Sequence, residues 1–196
     1  IGFEPSNKCI EPLNNIKKNY SNFEYHNFFV GNKEELVEAY DYDSGYSFNV
    51  QDENIHNKII GKKNIKKITI DNFCINNQVD EVTGIKIDVD GIDIDVLEGA
   101  KKIIIRDRPS IIIENYSEKL INFFSDLNYN LFTFSSTYQK PYNLRLEKLS
   151  NFDDKKWVKM ICCLPLEISE KYIDKNFKGS YFFGINKKDI LDFFNV

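Results

Sequence analysis

The sequence is short of the materials from which metal centres, membrane spans and nucleic-acid faces are built. It has two histidines, His26 and His56, and four cysteines, Cys9, Cys74, Cys162 and Cys163, with no CxxC pair among them. A structural zinc site needs four such ligands at short spacings, so no metal is expected. No apolar run approaches the roughly 18 residues of a bilayer-spanning helix, and no charged-then-apolar leader opens the chain. No long basic run occurs either: the formal net charge is −4, and Lys62, Lys63, Lys66 and Lys67 form the densest positive patch. A nucleic-acid binder carries a clear basic face, so that patch reads as solvated surface, and neither nucleic acid nor membrane is expected as a partner. The nine glycines are scattered and never form GxGxxG. Internal repeats, linkers and low-complexity segments are also lacking.

What is present fits a globular chain. Hydrophobic residues make up 42% and charged residues 29% of the 196 positions, which suits one domain over 1–196 with a substantial core. Cys162 and Cys163 stand in the apolar stretch MICCLPL, where free cysteine behaves as a small core residue; a reducing, cytoplasmic setting is expected. The chain starts at Ile1, directly in a strand-like run, which suggests a piece of a longer protein.

The middle of the chain has the clearest periodicity. Ile85-Lys86-Ile87-Asp88-Val89 alternates apolar and polar residues as a strand does. Val96, Leu97, Ala100, Ile103 and Ile104 then mark one helix face, ended by Pro109. Ser110-Ile111-Ile112-Ile113-Glu114 reads as a strand buried on both faces, Ser117 as the N-cap of a helix with the stripe Leu120, Ile121, Phe124 and Leu127, and Leu131–Phe134 as another strand. Strand, helix, strand, helix, strand predicts parallel pairing in an α/β sheet flanked by helices. Towards the N-terminus, Ile1–Phe3 predicts a buried strand, Ile10, Leu13 and Ile16 a helix with Pro12 in its first turn, and Phe28–Val30 a strand. Residues 40–64 suggest a small antiparallel excursion; 180–185 and 189–194 suggest a last strand and helix.

Three groups of residues could carry chemistry. Lys86, Asp88 and Asp90, followed by Gly91, leave the end of a strand, where ligands bind in open α/β sheets. A charge on a buried strand is costly unless it is paired or functional; the plainer alternative is that Lys86 and Asp88 share a face and satisfy each other. The acids Asp88, Asp90, Asp93, Asp95 and Glu98 do not make an EF-hand: with Gly91 at the sixth place, Lys86 would be the first ligand and Leu97 the twelfth. Asp93 and Asp95 suit the first turn of a helix. Glu4 and Glu114 each end a strand, where an acid can meet ribose hydroxyls, line a site or face a helix N-terminus.

ITIDNF at 68–73, GIKIDVDGIDIDVLEGA at 84–100 and RPSIIIE at 108–114, with IGFEPSN at 1–7, resemble the FkbM-family methyltransferases, in the family's order and over about residues 1–135. The resemblance implies the class I methyltransferase, Rossmann-like α/β fold, S-adenosylmethionine as methyl donor, and transfer to a hydroxyl oxygen of a small molecule or sugar. It places Glu4 on the cofactor ribose, Asp88 beside the transferred methyl as candidate base, Lys86, Asp90 and Glu114 around the pocket, and Asp71 on the substrate side with Glu114. Asp90 stands where the family has glutamate. An apolar crevice is expected to give Asp88 a proton affinity suited to a base. The family's first strand and its glycine-rich cofactor loop have no counterpart here, which predicts weak cofactor binding and two unpaired sheet edges. A catalytically inactive binding or scaffold protein is the alternative. A nicotinamide-dependent Rossmann enzyme and a nucleic-acid methyltransferase rank behind it, the latter for want of an Asn/Asp-Pro-Pro-aromatic motif.

Overall fold

The computed structural model describes residues 1–42, 45–46, 59–89, 91–114, 117–137, 140–148 and 156–173. They group into two units, Ile1–Gln78 with Asp95–Lys101, and Val79–Ile94 with Lys102–Val196. The strand and helix expected at 180–185 and 189–194 lie outside the described residues.

In the first unit, β1 (Gly2–Phe3) pairs in parallel with β2 (Tyr25–His26). β1 is half-buried, not buried, and among the described residues it pairs only with that short strand. Between them runs α1 (Ile10–Asn19), with Pro12 in the first turn as expected, where an amide hydrogen would have no helical partner anyway. The excursion expected at 40–64 is larger than the sequence suggests: β3 (Phe29–Val30), β4 (Glu35–Tyr42), β5 (Gly45–Tyr46) and β6 (Ile59–Ile68) form a sheet in the order β3-β6-β4-β5. Alternation gives this sheet two faces. Phe29, Ala39 and Ile65 are buried on one, with Val37 packed against them. The lysine patch is held by partners: Lys62 reaches Glu38 at 3.1 Å, Lys67 pairs with Glu35, Lys63 donates to Asn7 Oδ1 at 2.6 Å, and Lys66 lies over the Phe28 ring. Thr69 then caps α2 (Ile70–Asn76) by accepting a hydrogen bond from the Asn72 amide.

In the second unit, β7 (Gly84–Ile87) pairs in parallel with β8 (Ser110–Ile113). The single helix expected between them is two, α3 (Asp93–Gly99), most of which belongs to the first unit, and α4 (Lys101–Asp107). Ser117 caps α5 (Glu118–Ser125) as predicted, and Leu120 and Phe124 are buried beneath it; Leu127 lies beyond the helix. β9 (Tyr129–Thr137) and β10 (Lys140–Lys148) form a hairpin, β11 (Lys156–Pro165) follows, and α6 (Leu166–Ile173) comes last. The sheet order is β10-β9-β11-β8-β7. β8 and β9 therefore run in the same direction but do not pair, since β11 lies antiparallel between them. Ile111, Ile113, Ile161, Cys162 and Cys163 fill the centre of this sheet. All four cysteines are free thiols, and burial pushes the Cys162 thiol up to about 12.

Two contacts fix the loops. Gly99 is backed by the Gly31 carbonyl oxygen, which would lie 1.9 Å from a Cβ at that position. Arg108, with φ 55°, joins three turns: its guanidinium donates to the carbonyls of Leu127 and Asn128, binds Glu167 through two hydrogen bonds of 2.9 and 3.0 Å, and covers the Tyr129 ring. Arg108 holds the Glu167 carboxyl below the usual carboxylate range.

Two outcomes follow. Glycine to alanine inside a helix normally stabilises by about 1 kcal/mol; Gly99→Ala destabilises instead, because the Gly31 backbone must move, and urea unfolding of the two proteins reads the sign. A Glu167 carboxyl depressed by Arg108 adds stability above its unfolded value, near 4.3, and loses it as pH falls through the lower folded value. Thermal unfolding should therefore separate wild type from Glu167→Gln at pH 7, and the two curves should converge in acid.

Candidate functional site

The second unit brings three of the residues singled out from sequence to one place. β7 and β8 are in register from Gly84↔Ser110 to Ile87↔Ile113, so the residues that follow, Asp88 and Glu114, leave neighbouring strands side by side. This is the carboxyl end of a parallel pair, the position at which open α/β sheets bind ligands. Lys86 and Asp88 are two apart on β7 and its extension, hence on one face, and Lys86 Nζ lies 2.8 Å from Asp88 Oδ2. Asp88 also shares a hydrogen bond with the Glu114 side chain.

Two expectations about this cluster are corrected. The strand is not a buried one: among the described residues β7 is the edge of its sheet, and the Lys86 and Asp88 side chains are 44% and 61% exposed. The Asp88 carboxyl is also not raised in proton affinity. The hydrogen bond from Glu114, and after it the Lys86 ammonium, hold it below the usual aspartate range, since both favour its charged form and together outweigh desolvation. The plainer alternative, in which Lys86 and Asp88 satisfy each other, describes their direct contact correctly.

The entry to β7 is fixed from outside the cluster. Arg106 donates to the Val79 and Asp80 carbonyls at 3.2 and 3.0 Å, Asp107 accepts from the Val82 amide at 2.9 Å, and the Ser110 amide donates to Thr83 O at 3.0 Å. In the sequence, Arg106–Arg108 mark only the end of a helix. Apart from the ion pair that the adjacent Arg106 and Asp107 make, their polar partners lie about 20 to 60 residues away in the chain, and no local pattern announces them.

Glu4 and Asp71 belong to the first unit. Glu4 follows β1 and is half-buried; its Oε1 accepts a hydrogen bond from the Ser6 amide at 2.8 Å, while Asn27 Nδ2 donates to its carbonyl at 2.9 Å. One carboxylate oxygen thus closes the Pro5–Ser6 turn. Asp71 is buried in the first turn of α2, where a negative charge is favoured. Asp90 lies outside the described residues. Asp93 and Asp95 occupy the first turn of α3, as expected, and Asn32 Nδ2 donates to Asp95 Oδ1 at 3.2 Å. Among the described residues no group of three or more His, Cys, Asp or Glu is placed to hold a metal, and no helix is long and apolar enough to cross a membrane.

The family model of the Methyltransferase FkbM domain matches residues 1–131. The crystal structure of methyltransferase FkbM from Methylobacillus flagellatus KT is similar in fold, with a TM-score of 0.50 at 18% identity. The match covers 82% of this chain and 35% of that one, so the chain spans about a third of the length of that protein. The sheets with flanking helices thus have the α/β fold of a methyltransferase. No curated protein matches the chain.

The pinning of β7 has a measurable consequence. Asp107→Ala leaves the Val82 amide and the Arg106 guanidinium without their shared carboxylate, and a hydrogen bond to a charged group is worth about 1.5–3 kcal/mol. Amide hydrogen exchange at Val82 and along β7 should accelerate while exchange at Ile161–Leu164 stays slow; unchanged exchange at Val82 would show that the Asp107 contact holds nothing.

Proposed function

The chain belongs to the FkbM methyltransferase family, and we propose that it takes part in transferring a methyl group from S-adenosylmethionine to a hydroxyl oxygen of a small molecule or sugar. The observation that carries this reading is the placing of Lys86, Asp88 and Glu114 at the carboxyl ends of two adjacent parallel strands, inside the segment the family model matches.

The donor set suits the cofactor. An ionised aspartate favours a sulfonium cation nearby, and a half-buried carboxylate at Glu4, with one oxygen tied to Ser6, keeps a second oxygen able to accept from ribose hydroxyls. When bound, the cofactor supplies an electrophilic methyl group. The protein's own part is to orient the acceptor hydroxyl and to take its proton, work for which general-base catalysis contributes about 10²–10⁴-fold. In this reading Glu4 and Asp88 address the cofactor, Asp88 with Lys86 and Asp90 the reaction, and Asp71 and Glu114 the acceptor. Four free cysteines support a reducing, cytoplasmic setting. One observation favours the second reading, a binding or scaffold protein without catalysis: Lys86 and Asp88 already neutralise one another.

Calorimetric titration of S-adenosylmethionine, and of its demethylated product, decides between them. Binding that Glu4→Ala weakens by roughly 10-fold or more, the worth of a hydrogen bond to a charged group, supports the enzyme. Binding of neither compound would leave the scaffold reading.

A further inference from the structure

We propose that Lys86 and Glu114 are positioning residues for the methyl transfer, each acting through Asp88 and not on the substrate. The proposal rests on the reading above and deepens it by dividing the labour within the cluster, with Glu114 reassigned from the acceptor to Asp88.

The geometry is that of a clamp. Lys86 reaches Asp88 along the strand, and its ammonium meets Oδ2 at 2.8 Å; it also lies 3.5 Å from the Ile87 carbonyl, so two acceptors of its own strand engage it. Glu114 reaches Asp88 from the neighbouring strand, through the register Ile87↔Ile113 that sets the two acids abreast. The charged groups described around Asp88 are these two. Both favour its ionised form. A carboxylate tied from two sides loses rotamer freedom before substrate arrives, which is the entropy that positioning removes from a reaction.

Asp88 is then a weak base, and the chemistry tolerates one. The acceptor oxygen forms its bond to the methyl carbon as the carbon–sulfur bond breaks with its electron pair on sulfur. The oxygen thereby becomes cationic and its proton strongly acidic, so a carboxylate of low proton affinity suffices to accept it. Asp88 then releases the proton to water, which reaches a side chain this exposed. The products are a methyl ether, a thioether and one proton. Turnover should accordingly be level from neutral pH down into mild acid, and fall only as pH drops through the depressed value of Asp88.

The test is ¹³C NMR of side-chain carboxyl groups in the cofactor-free protein, with Asp88 assigned through Asp88→Asn. In wild type Asp88 should titrate below an ordinary aspartate, near 3.9. Lys86→Met and Glu114→Ala should each raise its midpoint, while Lys86→Arg, which keeps the cation, should hold it down. In turnover, Lys86→Met should lower kcat roughly 10-fold with KM within about twofold, and should move the acid limb of the pH profile upward, with Lys86→Arg restoring both. An Asp88 midpoint that is the same in wild type and Lys86→Met overturns the proposal, as does a Lys86→Met enzyme changed in KM alone. Failure of the wider reading looks different: no form of the protein would bind S-adenosylmethionine, whatever Asp88 does on titration.

Discussion

Residues 84–87 and 110–113 run side by side in one register, and the position of every acid in the cluster depends on that pairing. The register is not free to slide. Side chains alternate along a strand, so a shift of one residue would turn Ile111 and Ile113 out of the centre of the sheet. β11 locks β8 from its other side, with Ile161↔Ile113 and Cys163↔Ile111 in antiparallel register. The adjacency of Asp88 and Glu114 is thus maintained by apolar burial that includes neither of them. The hydrophobic effect sets the geometry, and the polar groups make use of it.

What the sequence disclosed is what depends on near neighbours. Alternation found β7, a stretch of isoleucines found β8, and Ser117 announced its helix, because each of these is decided within a few residues. Pro12 and Pro109 punctuated correctly for the same reason. The misreadings involve partners that are far away in the chain. β11 enters the sheet from about 45 residues beyond β8, so the expected β8–β9 pair could not be distinguished from two strands with a third between them. The division of the 93–107 helix coincides with the approach of Gly31 to Gly99, and nothing near either glycine encodes it. The cluster itself was legible in its membership and not in its surroundings. Residue types and spacing named Lys86, Asp88 and Glu114, whereas the exposure of an edge strand, and with it the sign of the Asp88 shift, required the topology.

The first unit handles charge differently. Lys62 and Lys67 face Glu38 and Glu35 across two antiparallel strands, so two of the four lysines in the most basic stretch of the chain are paired with a carboxylate. Exposed pairs of this kind are worth little singly, about 0–1 kcal/mol. They can nevertheless fix which strand neighbours which, because like charges placed opposite one another are unfavourable. The cross-strand pairs therefore support the same sheet order that the buried side formed by Phe29, Ala39 and Ile65 requires.

Cys162 and Cys163 stand consecutively in β11, buried between β8 and β9, with their thiols driven towards the unreactive protonated form. Neighbouring residues of a strand project to opposite sides, so one sulfur reports on each side of the five-stranded sheet. The two side chains thus amount to a built-in stopwatch. An alkylating reagent will find them only during excursions that part β11 from its neighbours, and the difference between their labelling rates will tell which side of the sheet opens first.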